Sequence, residues 1–120
     1  MACILFVDDD FFTLETYEKI FSLYGHQSIL SESANEALEI AEKQQPDIII
    51  LDMRLPDMDG FELLGKLKSN SKTTHIPAVM VSANPEAFAL KALEAGAEHY
   101  LSKPVHPDKL LEIINENVRH

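Results

Sequence analysis

The most constraining feature of this chain is the alternation of short apolar runs with longer amphipathic segments. Five such runs occur: ACILFV (2–7), QSIL (27–30), DIIIL (47–51), PAVMVS (77–82) and EHYL (98–101). The central runs lack the apolar/polar alternation of strands that face water on one side, as expected for strands buried on both faces of a parallel sheet. The pattern therefore predicts an α/β protein with five strands and five helices, folded as one domain over residues 1–120.

The segments between the runs have apolar residues at helical spacing. The residues predicted to face inward are, in chain order, Leu14, Tyr17, Phe21, Tyr24, Ala34, Ala37, Leu38, Ala41, Phe61, Leu64, Leu67, Leu110, Leu111, Ile114 and Val118. A capping box from Ser33 to Glu36 starts the second helix, and Asn84-Pro85 starts the fourth. Gly25 and Gly96 are expected to end the first and fourth helices, and the fifth begins at about Pro107.

The strand order predicts where a ligand binds. With five strands the flavodoxin-like, doubly wound order 2-1-3-4-5 is the natural choice, and ligands of such sheets bind beyond the carboxyl ends of the strands at the switch point. That point lies here between strands 1 and 3. Asp8-Asp9-Asp10 and Asp52 follow these two strands, so we expect carboxylates to converge at this rim.

The overall charge argues against nucleic acid as a partner, and the lengths of the apolar runs argue against a membrane. Twenty acidic and ten basic side chains give a formal charge of -10, which opposes binding to nucleic acid. No apolar run approaches the length of a membrane span, and Met1 is not followed by a signal-peptide pattern, so a cytoplasmic protein without a membrane partner is expected. The one cysteine, Cys3, is predicted to be a buried, reduced thiol.

Converging carboxylates need a positive charge beside them. Two like charges about 4 Å apart repel by roughly 4 kcal/mol at an effective dielectric near 20. All-oxygen ligation with an incomplete protein shell favours Mg²⁺ over Ca²⁺. Ser82 and Lys103 follow strands 4 and 5 at the same rim, where a hydroxyl and an ammonium group suit the binding of a phosphoryl group.

Four segments together resemble the signatures of the response regulator receiver domain: FVDDD, LDMRLPDMDG, VSA and YLSKP. The resemblance covers essentially the whole chain. It implies that Asp52 accepts a phosphoryl group from a phosphohistidine on a sensor histidine kinase or a histidine phosphotransfer protein. It also implies a signalling domain, not an enzyme for an external substrate, that catalyses its own phosphorylation and autodephosphorylation.

The resemblance further implies roles for individual residues. They are Asp8, Asp9, Asp52 and the backbone carbonyl of Arg54 for Mg²⁺; Ser82 and Lys103 for the phosphoryl oxygens; Ser82 and Tyr100 for the switch; and Arg54 and Asn84 for the lifetime of the aspartyl phosphate. The switch would alter the face of helix 4, strand 5 and helix 5, where a downstream target or a dimer partner binds. The family typically has a cis bond before the proline at position 104.

Two other functions stay open at this point. Asp8 and Asp10 form the Asp-x-Asp of a haloacid-dehalogenase-type phosphatase with Asp8 as nucleophile, although Phe12 stands where that family has threonine or valine. The other is a non-phosphorylated binding module. A calcium loop is excluded because Leu55 and Lys66 occupy positions that need acids.

The remaining acidic residues and the histidines receive structural assignments. Asp10 and Asp59 are expected to cap helices 1 and 3, and Asp57 to lie in a loop. The five histidines have no metal-ligand spacing and are expected on the surface or in loops. Two arrangements are open: the domain acts alone by docking on a partner, or it is part of a longer regulator or hybrid kinase.

Overall fold

The fold alternates strands and helices, as the apolar runs predict. The computed structural model describes residues 2–83, 85–103 and 105–118, without the side chains of 85–88 and 118. The elements are β1 (Cys3–Val7), α1 (Phe11–Leu23), β2 (Gln27–Ser31), α2 (Ala34–Gln44), β3 (Ile48–Asp52), α3 (Gly60–Ser69), β4 (Ala78–Ser82), α4 (Pro85–Glu94), β5 (His99–Ser102) and α5 (Pro107–Val118).

The sheet has the predicted order, β2-β1-β3-β4-β5, with every neighbouring pair parallel. Val7 pairs with Leu51, so the residues that follow them leave the sheet side by side. β3 is one residue longer at its end than predicted, because Asp52 still pairs with Val81. The acid at position 52 is therefore part of the sheet.

The two faces of the sheet carry separate cores. Leu5, Leu51 and Met80 face α2 and α3, and belong to one cluster with the small residues of α2. Phe6, Ile50 and their neighbours face α1 and α5, where Phe6 stacks on Tyr17 and Phe21 with ring centroids 5.1 and 5.5 Å apart. β1, β3 and β4 are thus covered on both sides, which explains their continuous apolar sequences.

Short polar side chains start three helices as predicted. Asp10 accepts from the amide of Phe12 at α1, Ser33 from that of Glu36 at α2, and Asp59 from that of Glu62 at α3. Each bond satisfies an amide that has no partner within its own helix.

Three side chains, those of Tyr24, Cys3 and His99, differ from the sequence-based expectation. Tyr24 is 59% exposed, because it is the C-cap residue of α1 and its backbone has already left the helical conformation. Cys3 is only partly buried, since it borders an open groove between α1 and β2. His99 lies within β5 and is half-buried. His26 lies in the loop between α1 and β2, as predicted for the histidines, and its Nδ1 accepts the amide N–H of Ala2 at 3.1 Å.

Within the described part of the chain, no helix combines the length and the apolar character that crossing a membrane requires.

Candidate functional site

Asp8 and Asp52 lie next to each other at the carboxyl end of the sheet. Asp8 follows β1, where its amide continues the parallel ladder by donating to the carbonyl of Ser31 at 3.1 Å. Both carboxylates are nearly buried, with 7% of Asp8 and 8% of Asp52 exposed. A carboxylate at such a depth is costly unless it has a charged or hydrogen-bonding partner.

Asp9 completes a cluster of three carboxylates. One oxygen from each of Asp8, Asp9 and Asp52 lies within 4.8 Å of the others, and this is the one such cluster among the described residues. Asp9 is exposed, so the cluster opens to water on its side. The arrangement therefore offers two fixed carboxylates and one at the surface.

Lys103 reaches the cluster from the edge strand. Its Nζ lies 3.0 Å from Oδ2 of Asp52 and 3.5 Å from Oδ2 of Asp8. The backbone amide of Lys103 donates to the carbonyl of Ser82 at 2.8 Å, which fixes the start of this side chain beside β4. A flexible ammonium with three donors can bridge two carboxylates in this way.

Burial and the neighbouring charges act in opposite directions on the charged groups of the site. Burial raises the pKa of Asp8; the amide of Asp10 and the charge of Lys103 act in the opposite direction, while Asp52 and Asp9 add to the increase. For Lys103, burial alone would lower the pKa, but the hydrogen bond and the charge of Asp52, together with Asp8, raise it overall. Asp52 and Asp8 thus favour the charged form of Lys103, whereas burial disfavours the charged form of Asp8.

Ser82 and Tyr100 lie on the other side of Asp52. Ser82 is 5% exposed, and its hydroxyl lies 3.5 Å from the thioether sulfur of Met53. Tyr100 pairs with Met80 in the sheet and is half-buried against the α2 and α3 face. Ser82 is thus on the strand beside the predicted acceptor, and Tyr100 is on the next strand, β5.

The loop between β3 and α3 closes on itself. The amide of Gly60 donates to the carbonyl of Met53 at 2.6 Å, and Arg54 pairs with Asp59 in an isolated antiparallel bridge. The amide of Arg54 lies 3.5 Å from Oδ1 of Asp52, and the Arg54 side chain is exposed. These bonds fix the backbone of Arg54 directly beside the acids.

Two features of this loop were not predicted. Asp57, expected only as a loop residue, accepts from the first two amides of α2, and a contact between residues so far apart in the chain leaves no local signal. Gly60 lies so close to the carbonyl of Asp52 that a Cβ there would be only 2.8 Å from that oxygen. The glycine at the start of α3 was visible in the sequence, but its neighbour was not.

Asn84 and the bond between Lys103 and Pro104 lie outside the described residues. Asp10, the second acid that a haloacid-dehalogenase-type site requires, is bound to its own helix instead. It accepts from the amide of Phe12 and from the hydroxyl of Thr13 at 2.8 Å.

The donor set fits a hard divalent cation. All side-chain donors of the cluster are carboxylate oxygens, and three carboxylates converge where the ammonium of Lys103 contacts Asp8 and Asp52. Mg²⁺ favours a few carboxylates and keeps several waters, which the open side at Asp9 allows.

Comparison with known proteins identifies the family. Residues 4–115 match the model of the response regulator receiver domain. The chain is 31% identical over 116 residues to the polar-differentiation response regulator DivK of Brucella ovis, an alignment that covers 92% of this chain and 91% of that protein.

Solved structures agree with this match. A CheY-like receiver domain protein from Methanospirillum hungatei is 33% identical, with a TM-score of 0.88 over 97% of this chain and 92% of that one. The receiver domain of the sensor histidine kinase PA1611 from Pseudomonas aeruginosa, whose structure has a magnesium ion coordinated in the active-site cleft, is 26% identical, with a TM-score of 0.89 over 99% and 98% of the two chains. This chain belongs to the response regulator receiver domain family of two-component signalling proteins.

Proposed function

We propose that Asp52 is the phosphoacceptor of this receiver domain and that Asp8, Asp9, Asp52 and the Arg54 carbonyl bind Mg²⁺. The observation that carries the proposal is the position of Lys103, whose ammonium lies 3.0 Å from Asp52 and 3.5 Å from Asp8. A buried carboxylate that shares a cation with a second acid is where an incoming phosphoryl group finds both a nucleophile and compensating charge.

In the proposed reaction, a carboxylate oxygen of Asp52 attacks the phosphorus of a phosphohistidine. The bond between phosphorus and the imidazole nitrogen breaks, and its electron pair stays on the histidine as the aspartyl phosphate forms. Lys103 then pairs with phosphoryl oxygens. When bound, Mg²⁺ supplies charge neutralisation of the carboxylates and the phosphoryl oxygens. In autodephosphorylation a water attacks the same phosphorus, the bond between phosphorus and the Asp52 oxygen breaks, and its electron pair stays on the restored carboxylate as inorganic phosphate leaves.

Ser82 and Tyr100 are proposed to change conformation when Asp52 is phosphorylated. The Ser82 hydroxyl lies at the end of β4, the strand next to Asp52, and a charged phosphoryl oxygen is a strong acceptor for a hydroxyl donor. Phosphorylation would therefore draw this hydroxyl toward Asp52, and Tyr100 on the neighbouring strand would adjust with it. Arg54 and Asn84 are proposed to tune the lifetime of the product.

The proposed partners bind at two places. A sensor histidine kinase or histidine phosphotransfer protein must reach the rim that carries Asp52, because its phosphohistidine reacts there. The face of α4, β5 and α5 is proposed to bind a downstream target or a second copy. Leu90 and Leu93 on α4 are 70% and 51% exposed, which gives this face apolar surface for a partner.

The direct test is phosphorylation by a small donor. Incubation with acetyl phosphate and Mg²⁺, followed by mass spectrometry of peptides, is expected to find phosphate on Asp52 alone. Asp52→Asn should abolish it, and so should chelation of the cation. Asp47→Asn is the matched control, because Asp47 lies just before β3 at the opposite end of the sheet and accepts from the amide of Cys3. Phosphate that persists in Asp52→Asn would overturn the assignment.

The switch has a separate test. Amide chemical shifts are compared between the free protein and its complex with a beryllofluoride mimic of the phosphoryl group. The expected changes include Ser82 and Tyr100 and extend over residues 85–118. Changes limited to residues 8–10 and 52–60 would contradict the proposed face.

A further inference from the structure

The loop that follows the proposed acceptor is tied to a helix that comes much earlier in the chain. The two carboxylate oxygens of Asp57 accept from the amides of Ala34 and Asn35 at 2.9 and 2.8 Å. Asp57 is exposed, so burial does not force it into this position. The two directional hydrogen bonds hold it there.

These bonds satisfy amides at the start of α2 that have no partner within the helix. The first amides of a helix have no partner within the helix and carry its positive dipole end. Ser33 takes the amide of Glu36, at 3.3 Å, and Asp57 takes the two amides before it. The helix thus has a local cap and a second cap that comes from another part of the fold.

The loop has one anchor at its base and one at its tip. At the base, Gly60 bonds to Met53, and Arg54 pairs with Asp59. Between these ends, Leu55 and Met58 pack against the core. Apolar contacts are non-directional, so they restrain the loop less strictly than hydrogen bonds do. The two bonds of Asp57 to Ala34 and Asn35 are directional contacts that tie this part of the loop to α2.

We propose that Asp57 is a positioning residue for the cation site: by binding the first amides of α2, it holds the loop that presents the Arg54 carbonyl. The inference rests on the proposed function, in which that carbonyl is a Mg²⁺ ligand. Its consequence is reciprocal. If the tether favours cation binding, a bound cation must equally favour the tether and protect the amides at the start of α2.

The test measures Mg²⁺ affinity by isothermal titration for the wild-type protein and three variants. Asp57→Ala should weaken binding about tenfold, as expected when a residue that supports a metal ligand is lost. Asp57→Asn removes the same charge but keeps one oxygen acceptor, so its affinity should lie between the two. Ser33→Ala is the matched control, because it removes a cap of the same helix without touching the loop, and its affinity should equal that of the wild type.

A second measurement needs no variant. Hydrogen exchange of the wild-type protein with and without Mg²⁺ should show slower exchange at the amides of Ala34 and Asn35, with little change at Glu36, whose amide Ser33 holds. This readout also serves if Asp57→Ala does not fold.

The outcomes separate the two proposals. A wild-type Mg²⁺ affinity in Asp57→Ala would overturn the proposed role of Asp57. An equal loss of Mg²⁺ affinity in Asp57→Ala and Asp57→Asn would also overturn it, because that result would show only the loss of a distant negative charge. Unchanged exchange at Ala34 and Asn35 would overturn it as well. Failure of the wild-type protein to bind Mg²⁺, or undiminished binding in Asp52→Asn, would instead refute the proposed cation site.

Discussion

Gly60 offers the sharpest test of how the fold supports the acceptor. A Cβ at this position would lie 2.8 Å from the backbone oxygen of Asp52, 2.8 Å from Cα of Met53 and 3.2 Å from a methyl group of Leu51. Two of these three neighbours are backbone atoms of the loop that carries the acceptor. They cannot rotate away as a flexible side chain would, so Gly60→Ala must displace either α3 or the end of β3.

The expected cost follows from that overlap. Forcing one extra methyl group into a well-packed site typically costs about 1–3 kcal/mol. Gly65→Ala in the same helix is the matched control, because nothing lies within 4 Å of a Cβ there and the position is exposed. That substitution should stabilise the protein by up to about 1 kcal/mol, the helix propensity difference between alanine and glycine. The two variants should therefore shift stability in opposite directions.

Urea unfolding followed by circular dichroism measures both changes. The combined difference of about 1–4 kcal/mol, with a slope of about 1–3 kcal/mol per molar urea, should separate the two midpoints by roughly 0.3–4 M. Phosphorylation of Gly60→Ala by acetyl phosphate should also be slower, whereas Gly65→Ala should react as the wild type does. If Gly60→Ala is as stable as Gly65→Ala and is phosphorylated at the wild-type rate, the proposed role of this close contact is wrong.

Three further predictions concern charge. Asp8→Asn should stabilise the cation-free protein at neutral pH in urea unfolding, because burial raises the pKa of Asp8 and so disfavours its charged form in the folded state; a less stable variant would contradict this. The pKa of Lys103 is raised in the folded state, so its contribution to stability is present below the ordinary lysine pKa of about 10.4. This contribution is lost as the pH rises through the folded value. The free energy of unfolding of Lys103→Gln should therefore decrease less at alkaline pH than that of the wild type. Burial lowers the pKa of His26, so the contribution of this residue to stability is present above the ordinary histidine pKa of about 6.5 and declines as the pH falls below that value. The stability of His26→Gln should depend less on pH in that range. Unchanged pH profiles in these two variants would refute the respective assignments.

The parts of the structure that were predictable depend on local or general rules. Apolar runs give the strands, and the caps at Asp10, Ser33 and Asp59 act within a few residues of their own helices. Asp8 and Asp52 could be brought together because parallel sheets of this order place the ends of strands 1 and 3 side by side. No distance had to be known for that inference.

The unpredicted features depend on contacts between distant segments. Asp57 bonds to Ala34 and Asn35, more than twenty residues earlier, and nothing in either segment specifies the other. Tyr24 has the helical spacing of a core residue but lies at the C-cap, where the helical direction no longer applies. Periodicity does not show where a helix stops covering the sheet.

The register of β1 and β3 has a consequence for engineering this domain. Asp8 and Asp52 lie side by side because Val7 pairs with Leu51. A residue inserted into or deleted from either strand would shift the two acids apart by about 3.3 Å along the sheet. It would also turn one of them to the opposite face. Substitutions among apolar residues in these strands leave that alignment intact. The turn at Gly25, at the other end of the sheet, does not enter the alignment, and it is therefore the place to insert a label or a reporter without disturbing the acids.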